Sequence, residues 1–266
     1  MAYSRTRKPW ALRIYCGLVG LVLIAPTLVV IPMSFTDQQS FTFPPSGWSF
    51  RWYRNFFEDP NWHSSAVLSI RIGLLVMVVA TVVGTLAALA LMRSDNKLAV
   101  AFQGLVMAPL IVPGVITAIG IYYVFLRWHL TQTTIGFVLA HTIMALPLVV
   151  VPISAALQTY DRRLDDAAAS LGSSPLTTLF RVTLPLIAPA VLTGALFAFM
   201  TSFDESIVSL FLSGPFMRTL PIQMYQSVTA EVDPTIAAAS TMLIVITTLL
   251  LLVVGIIANR KASIRG

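Results

Sequence analysis

Six stretches of this chain lack Asp, Glu, Lys and Arg altogether: residues 14–33, 72–92, 98–126, 130–159, 182–203 and 234–259. Within each, apolar residues occupy every face, with no two-residue alternation, so the pattern predicts buried or lipid-facing helices and excludes the strands of a membrane barrel. About 20 apolar residues span the roughly 30 Å hydrocarbon layer, so each stretch predicts one crossing. The third and fourth stretches are longer than a crossing needs and are expected to include loop or tilted helix. The fifth can continue past Asp204 and Glu205 to Ser213. Pro26, Pro109, Pro113, Pro147, Pro152 and Pro189 fall inside the stretches, and each is expected to kink its helix by removing a backbone donor. The resulting fold class is all-α: a polytopic membrane protein with six transmembrane helices, forming one transmembrane domain over residues 1–266.

The polar remainder gives direction. With six crossings both termini share a side. Placing them in the cytoplasm puts twelve basic residues inside: Arg5, Arg7, Lys8, Arg13, Arg93, Lys97, Arg162, Arg163, Arg181, Arg260, Lys261 and Arg265. Five remain outside: Arg51, Arg54, Arg71, Arg127 and Arg218. The excess of Lys and Arg follows the positive-inside rule. The first apolar run has no small-residue cleavage site after it, so it reads as a retained span rather than a leader. Trp48, Trp52, Tyr53, Phe56, Phe57 and Trp62 crowd the outer segment 34–63 and suit an amphipathic stretch at headgroup level, with an aromatic binding cage as the alternative.

Composition agrees. Of 266 residues, 57% are hydrophobic and 11% charged, where a soluble domain carries about 25% charged residues. The net charge of +6 lies in short clusters between apolar runs, which points to membrane lipid and not to nucleic acid. Cys16 is the only cysteine, so no intrachain disulfide forms; it reads as a small packing residue. None of the three lysines stands in a phosphate-cradling glycine loop, and no nucleophile elbow or paired-histidine zinc motif occurs. The chain is therefore expected to be no enzyme, to hold no metal, and to draw its energy from elsewhere. His141, inside the fourth stretch with no acid near it in sequence, reads as a hydrogen-bonded structural imidazole, with a proton relay as the alternative.

The connection 161–185 carries the most information. Asp161 can cap a first short helix, whose opening turn is acidic and whose Ala167, Ala168 and Ala169 favour helix. Gly172 marks its end. Ser174 then caps a second helix with Pro175 at its first position, and Pro185 is expected to close it. Asp166-Ala167-Ala168, then Gly172, then Val182-Thr183-Leu184-Pro185 resemble, at the same offsets, the signature loop of binding-protein-dependent ABC importer permeases, with Asp for Glu and Val for Ile. The resemblance implies a type I importer permease fold and a coupling helix that seats on an ATPase subunit. It assigns Arg162, Asp166, Ala167, Ala168, Gly172, Ser173, Leu184 and Pro185 to that coupling. It implies a paralogous permease subunit, two ATP-binding subunits that hold MgATP, a periplasmic substrate-binding protein, and a bacterial inner membrane location. No cofactor is expected in this chain itself.

Asp204 and Glu205 are the only acids at predicted membrane depth, where an ionised group costs about 2.5–3.5 kcal/mol. Ser202, Ser206, Ser209 and Ser213 recur at steps of four, three and four, the spacing of one helix face. Thr201, Ser202, Asp204, Glu205 and Ser209 are therefore the expected lining of a hydrated path shared with a second permease subunit. Pairing of the acids with an Arg of the partner is the alternative. The run 202–208, with Ser213-Gly214-Pro215 and Leu220-Pro221-Ile222, resembles the spermidine/putrescine branch of these permeases, its PotC-type members. That implies a polyamine or related organic cation as solute, which carboxylates at depth would favour. An ion-coupled secondary carrier using Asp204, Glu205 and His141 is the rival from another class.

Overall fold

A computed structural model describes residues 10–41, 43–92, 96–230 and 233–263, with side chains described at these positions apart from 11 and 250–263. Arg5, Arg7, Lys8, Arg93 and Arg265 of the charge count lie outside the described residues, as do the side chains of Arg260 and Lys261. All regular structure among the described residues is helical. In chain order the helices are α1 (Trp10–Met33), α2 (Arg51–Glu58), α3 (Pro60–Met92), α4 (Lys97–Ile111), α5 (Gly114–Arg127), α6 (Thr134–Gln158), α7 (Arg163–Ser170), α8 (Pro175–Thr178), α9 (Leu184–Asp204), α10 (Ile207–Leu212), α11 (Leu220–Thr229) and α12 (Thr235–Ser263). Among the described residues four helical runs are long and apolar enough to cross a membrane: Leu12–Met33, Pro60–Met92, Thr134–Gln158 and Pro175–Asp204. In α12, described side chains extend the apolar pattern over Thr235–Leu249.

The third stretch differs from a single span. It is two helices, α4 and α5, bent by 111°. Steric clash with a proline ring drives the preceding residue out of the helical region. Val112 accordingly lies at φ −76°, ψ 132°, and Pro113 at φ −53°, ψ 131°. Pro109, Pro147, Pro152 and Pro189 remain inside continuous helices. The fifth stretch also differs. It begins earlier, because α8 runs through a π turn at Leu179–Thr183 into α9, and it stops at Asp204 instead of reaching Ser213.

The chain divides into two compact units, Met1–Pro60 with Gln226–Gly266, and Asn61–Tyr225. In the first, Asn55 Nδ2 donates to Thr235 Oγ1 at 2.8 Å, tying α2 to α12. Trp52 and Phe56 are buried, whereas Trp48, Phe50 and Phe57 stay exposed, which fits an amphipathic segment. Ser34 Oγ meets Tyr53 Oη at 2.6 Å, and the Phe35 ring packs edge-on to Phe50 and tilted against Trp48 and Tyr53. Cys16 is exposed on α1.

In the second unit α6 is the centre, packed along α9. Ala140, His141, Ala145, Val149 and Ile153 of α6 are fully buried. Trp62, expected at the headgroup level, is also buried, 2% exposed. Val149 sits between two glycines of its neighbours: a Cβ on Gly84 of α3 would lie 2.6 Å from Val149 Cγ1, and one on Gly194 of α9 would lie 3.2 Å from Val149 Cα. Small residues allow helices to approach this closely where lipid removes the hydrophobic drive to associate. Gly194→Leu is expected to push α9 off α6 and cost about 1–3 kcal/mol by overpacking. A lowered thermal midpoint of the solubilised protein is the check; an unchanged midpoint would contradict the packing.

Candidate functional site

The α6–α9 connection folds as its residue types dictate, with one exception. Asp161 Oδ1 accepts from Arg163 N at 3.0 Å and so satisfies a donor at the start of α7. At the other end Gly172 N donates to Ala169 O at 2.9 Å, and Ser173 N to Ala168 O at 3.0 Å. These two bonds form a Schellman end, with Gly172 at φ +82°, a conformation that favours glycine. Ser174 Oγ accepts from Thr177 N at 3.3 Å, and Pro175 takes the first position of α8. Pro185 does not close this helix. Leu184 N donates to Leu179 O, a five-residue step, and the chain continues into α9 with Pro185 in its first turn. The wider turn just before Pro185 shifts the hydrogen-bond register, which lets a continuing helix take in a residue that has no backbone donor.

The expected coupling residues separate into three groups. Asp166, Ala167 and Gly172 are exposed, and Ala168 and Ser173 half-buried. No partner for the Asp166 carboxylate is found among the described residues. Leu171 is 89% exposed, and Leu176 and Phe180 also stand in the open, so this polar connection displays an apolar edge. Arg162, also exposed, is by contrast tied to the bundle: its Nη2 donates at 2.6 Å to Met92 O. A cation at a helix C-terminus is favoured by the orphan carbonyls there. Leu184 and Pro185 belong to α9.

Three further residues join this connection to the helices, and none stood out in the sequence. Asp165 Oδ1 accepts from Tyr160 Oη at 2.6 Å and from Thr183 Oγ1 at 3.2 Å. Partial burial, followed by the bond to Asp165, raises the Tyr160 phenol above its ordinary value, so it stays a proton donor throughout the physiological range. Beside it, Ala88, Gln103, Ser154, Gln158, Tyr160 and Arg162 help line a cavity of about 310 Å³.

The expected path residues lie at the far end of α9. The helix breaks at Glu205 (φ −69°, ψ 110°) and restarts as α10 after Ser206. The four serines therefore do not form one helix face. Ser202 and Ser209, buried on either side of the break, converge on His141, 2.9 Å from Nδ1 and 3.1 Å from Nε2 respectively. Ser206 is exposed, and Thr201 half-buried. Glu205 Oε1 accepts from Val208 N at 2.9 Å, satisfying a donor at the start of α10. Asp204 is exposed, and no hydrogen bond or ion pair for it is found among the described residues. It stands at the C-terminal end of a 30-residue apolar run, where the helix dipole and the last unpaired carbonyls already favour a cation. Among the described residues no group of three His, Cys, Asp or Glu side chains is gathered closely enough for a metal ion.

Comparison with known proteins adds a family. The model of the family described as "Binding-protein-dependent transport system inner membrane component" matches residues 80–263. The putrescine transport system permease protein PotI of Escherichia coli K12 is 35% identical over 240 residues, 87% of this chain and 84% of that one. The spermidine/putrescine transport system permease protein PotC of Haemophilus influenzae is 31% identical over 216 residues, 81% of this chain and 84% of that one. The molybdenum transport system permease protein ModB of Mycobacterium bovis is 29% identical over 236 residues, 83% of this chain and 84% of that one. In structure, a chain of a bacterial ABC transporter involved in the import of the acidic polysaccharide alginate matches with a TM-score of 0.72 at 16% identity, covering 98% of this chain and 99% of that one.

Proposed function

This chain belongs to the family of binding-protein-dependent transport system inner membrane components, and from that premise we propose that it imports a polyamine or related organic cation. It is a multi-pass permease subunit of an ABC importer and not the catalytic engine. In the proposed assembly a periplasmic binding protein delivers the solute, and a paralogous permease completes the pathway. Two ATP-binding subunits hold MgATP and dock on the 161–185 connection, with both termini of this chain in the cytoplasm. The exposed Leu171, beside the tight turn at Gly172, supports that docking, because an apolar side chain in a polar connection is best covered by a partner.

One observation carries the choice of solute: an exposed carboxylate, Asp204, at the C-terminal end of a long apolar helical run, where the chain breaks before α10. Discontinuous helices put partial charges where a transporter needs them, with C-terminal ends facing cations. Glu205 neutralises the start of α10, which leaves Asp204 to meet the solute. Thr201 on the preceding turn would line the same path. Ser202 and Ser209 contribute by holding the break in place through His141. The relation to putrescine and spermidine/putrescine permeases supports the same reading.

Asp204→Asn tests it. A charge-assisted hydrogen bond is worth about 1.5–3 kcal/mol, so putrescine uptake at limiting solute should fall about tenfold or more in the reconstituted complex. Assembly with the partner subunits should be unchanged. Normal putrescine uptake by an assembled mutant would remove Asp204 from the path. Uptake of an anionic solute in place of putrescine would overturn the cation reading.

A further inference from the structure

We infer that Asp165 is the positioning residue that fastens α7 to the transmembrane helices and carries its displacement into α6 and α9, through its paired contacts with Tyr160 and Thr183. The inference rests on the proposed docking of the 161–185 connection.

An acid in the first turn of a helix needs no partner beyond the helix's own N-terminal donors. Asp165 and Asp166 both occupy that turn, yet they behave differently. Asp166 faces outward. Asp165 accepts two hydroxyl donors that come from different elements, Tyr160 just past the end of α6 and Thr183 in the turn that opens α9. The two hydroxyls are themselves 3.4 Å apart, so the three side chains close a triangle. Thr183 is 2% exposed, and a hydroxyl at such a position needs a partner.

The π turn makes this arrangement conditional. Its five-residue hydrogen-bond step, Leu184 N to Leu179 O, inserts one residue relative to an α-helix and rotates what precedes it. Thr183 meets Asp165 in that register; with the turn tightened to α geometry the same side chain would point elsewhere. Isolated π turns of this kind concentrate at functional positions. Around the triangle, Arg162 anchors the start of α7 to Met92 O at the end of α3. The adjoining cavity of about 310 Å³ lets Tyr160 and Arg162 shift without forcing a packed core apart. A push on α7 thus reaches α6 and α9 through this triangle, with free space beside it in which to act.

The test uses the full complex of both permease subunits, the ATP-binding subunits and the binding protein, reconstituted in vesicles. Docking is read by cross-linking Leu171→Cys to the ATP-binding subunit, and coupling by putrescine transported per ATP hydrolysed. Asp165→Ala should keep the cross-link and the hydrolysis but lower that ratio about tenfold, the equilibrium factor of roughly 1.4 kcal/mol. Asp165→Glu should recover part of it. If Asp165→Ala fails to assemble, the milder Tyr160→Phe/Thr183→Val pair decides, with the same loss expected. An unchanged ratio in a docked, assembled variant overturns the role of Asp165 while leaving the docking proposal intact. Absence of the cross-link in the otherwise unmodified chain overturns the docking proposal, and this inference with it.

Discussion

Gly172→Trp should insert, fold and pair with its partner permease, yet transport no solute. Within this chain the substitution meets open space, since a Cβ at Gly172 finds no atom within 4 Å. The intrachain cost is therefore confined to the backbone. A non-glycine residue held at φ +82° pays about 1–2 kcal/mol, spent in an exposed turn that does not support the core. The functional cost is of another size. The Schellman bonds at Ala168 and Ala169 set the direction in which Leu171 projects, and an indole beside Leu171 would occupy the space where a docking partner must approach. A groove on an ATP-binding subunit cannot admit it without losing the surrounding contacts. Equal amounts of wild type and mutant in the membrane, with ATP-binding subunit recovered only with the former, is the expected result. Gly172→Ala separates the two costs, because it keeps the backbone strain and removes nearly all the bulk. Normal uptake by Gly172→Trp would show that the turn faces no partner.

The sequence discloses this turn and hides its neighbours for a physical reason. Caps and helix ends are local: Asp161, Gly172 and Ser174 act on donors and acceptors within a few residues, so their chemistry is legible in residue type and spacing. Span existence is nearly as local, since an uninterrupted apolar run needs only its own length. Where a span stops is less so. The bend at Val112–Pro113 follows from a proline that could equally have been absorbed, as Pro109, Pro147, Pro152 and Pro189 are. Local bonding can support a proline inside a helix, and neighbouring packing decides which ones break.

The break at Glu205 shows the same limit at the site. Serines at steps of four, three and four suggest a continuous face, and helix geometry permits it. What overrides the pattern is a set of longer-range bonds: Glu205 turns back to cap α10, and His141, more than 60 residues earlier in the chain, takes up Ser202 and Ser209. Asp165, Tyr160 and Thr183 lie closer in sequence but belong to three different elements. Each is unremarked by itself, and only their meeting gives them a role.

His141→Leu is expected to lower stability and uptake together, whereas His141→Gln should spare much of both. The imidazole is 0% exposed and bridges α6 to both sides of the α9–α10 break. Leu removes both bonds and leaves two buried serine hydroxyls to find substitutes, at a cost of about 2–3 kcal/mol. The break would lose the brace that sets the position of Asp204. Gln supplies a donor and an acceptor at similar reach and can hold at least one serine. A proton relay would respond differently. Its function needs an ionisable ring with a free path for the proton, and Gln abolishes that chemistry as completely as Leu does. Here both ring nitrogens face serine hydroxyls, while Asp204 is exposed and Glu205 is occupied by Val208 N. Uptake by His141→Gln in vesicles should therefore remain ATP-driven after the proton gradient is collapsed. Loss of transport in a His141→Gln complex of normal thermal midpoint would instead favour the gradient-coupled mechanism.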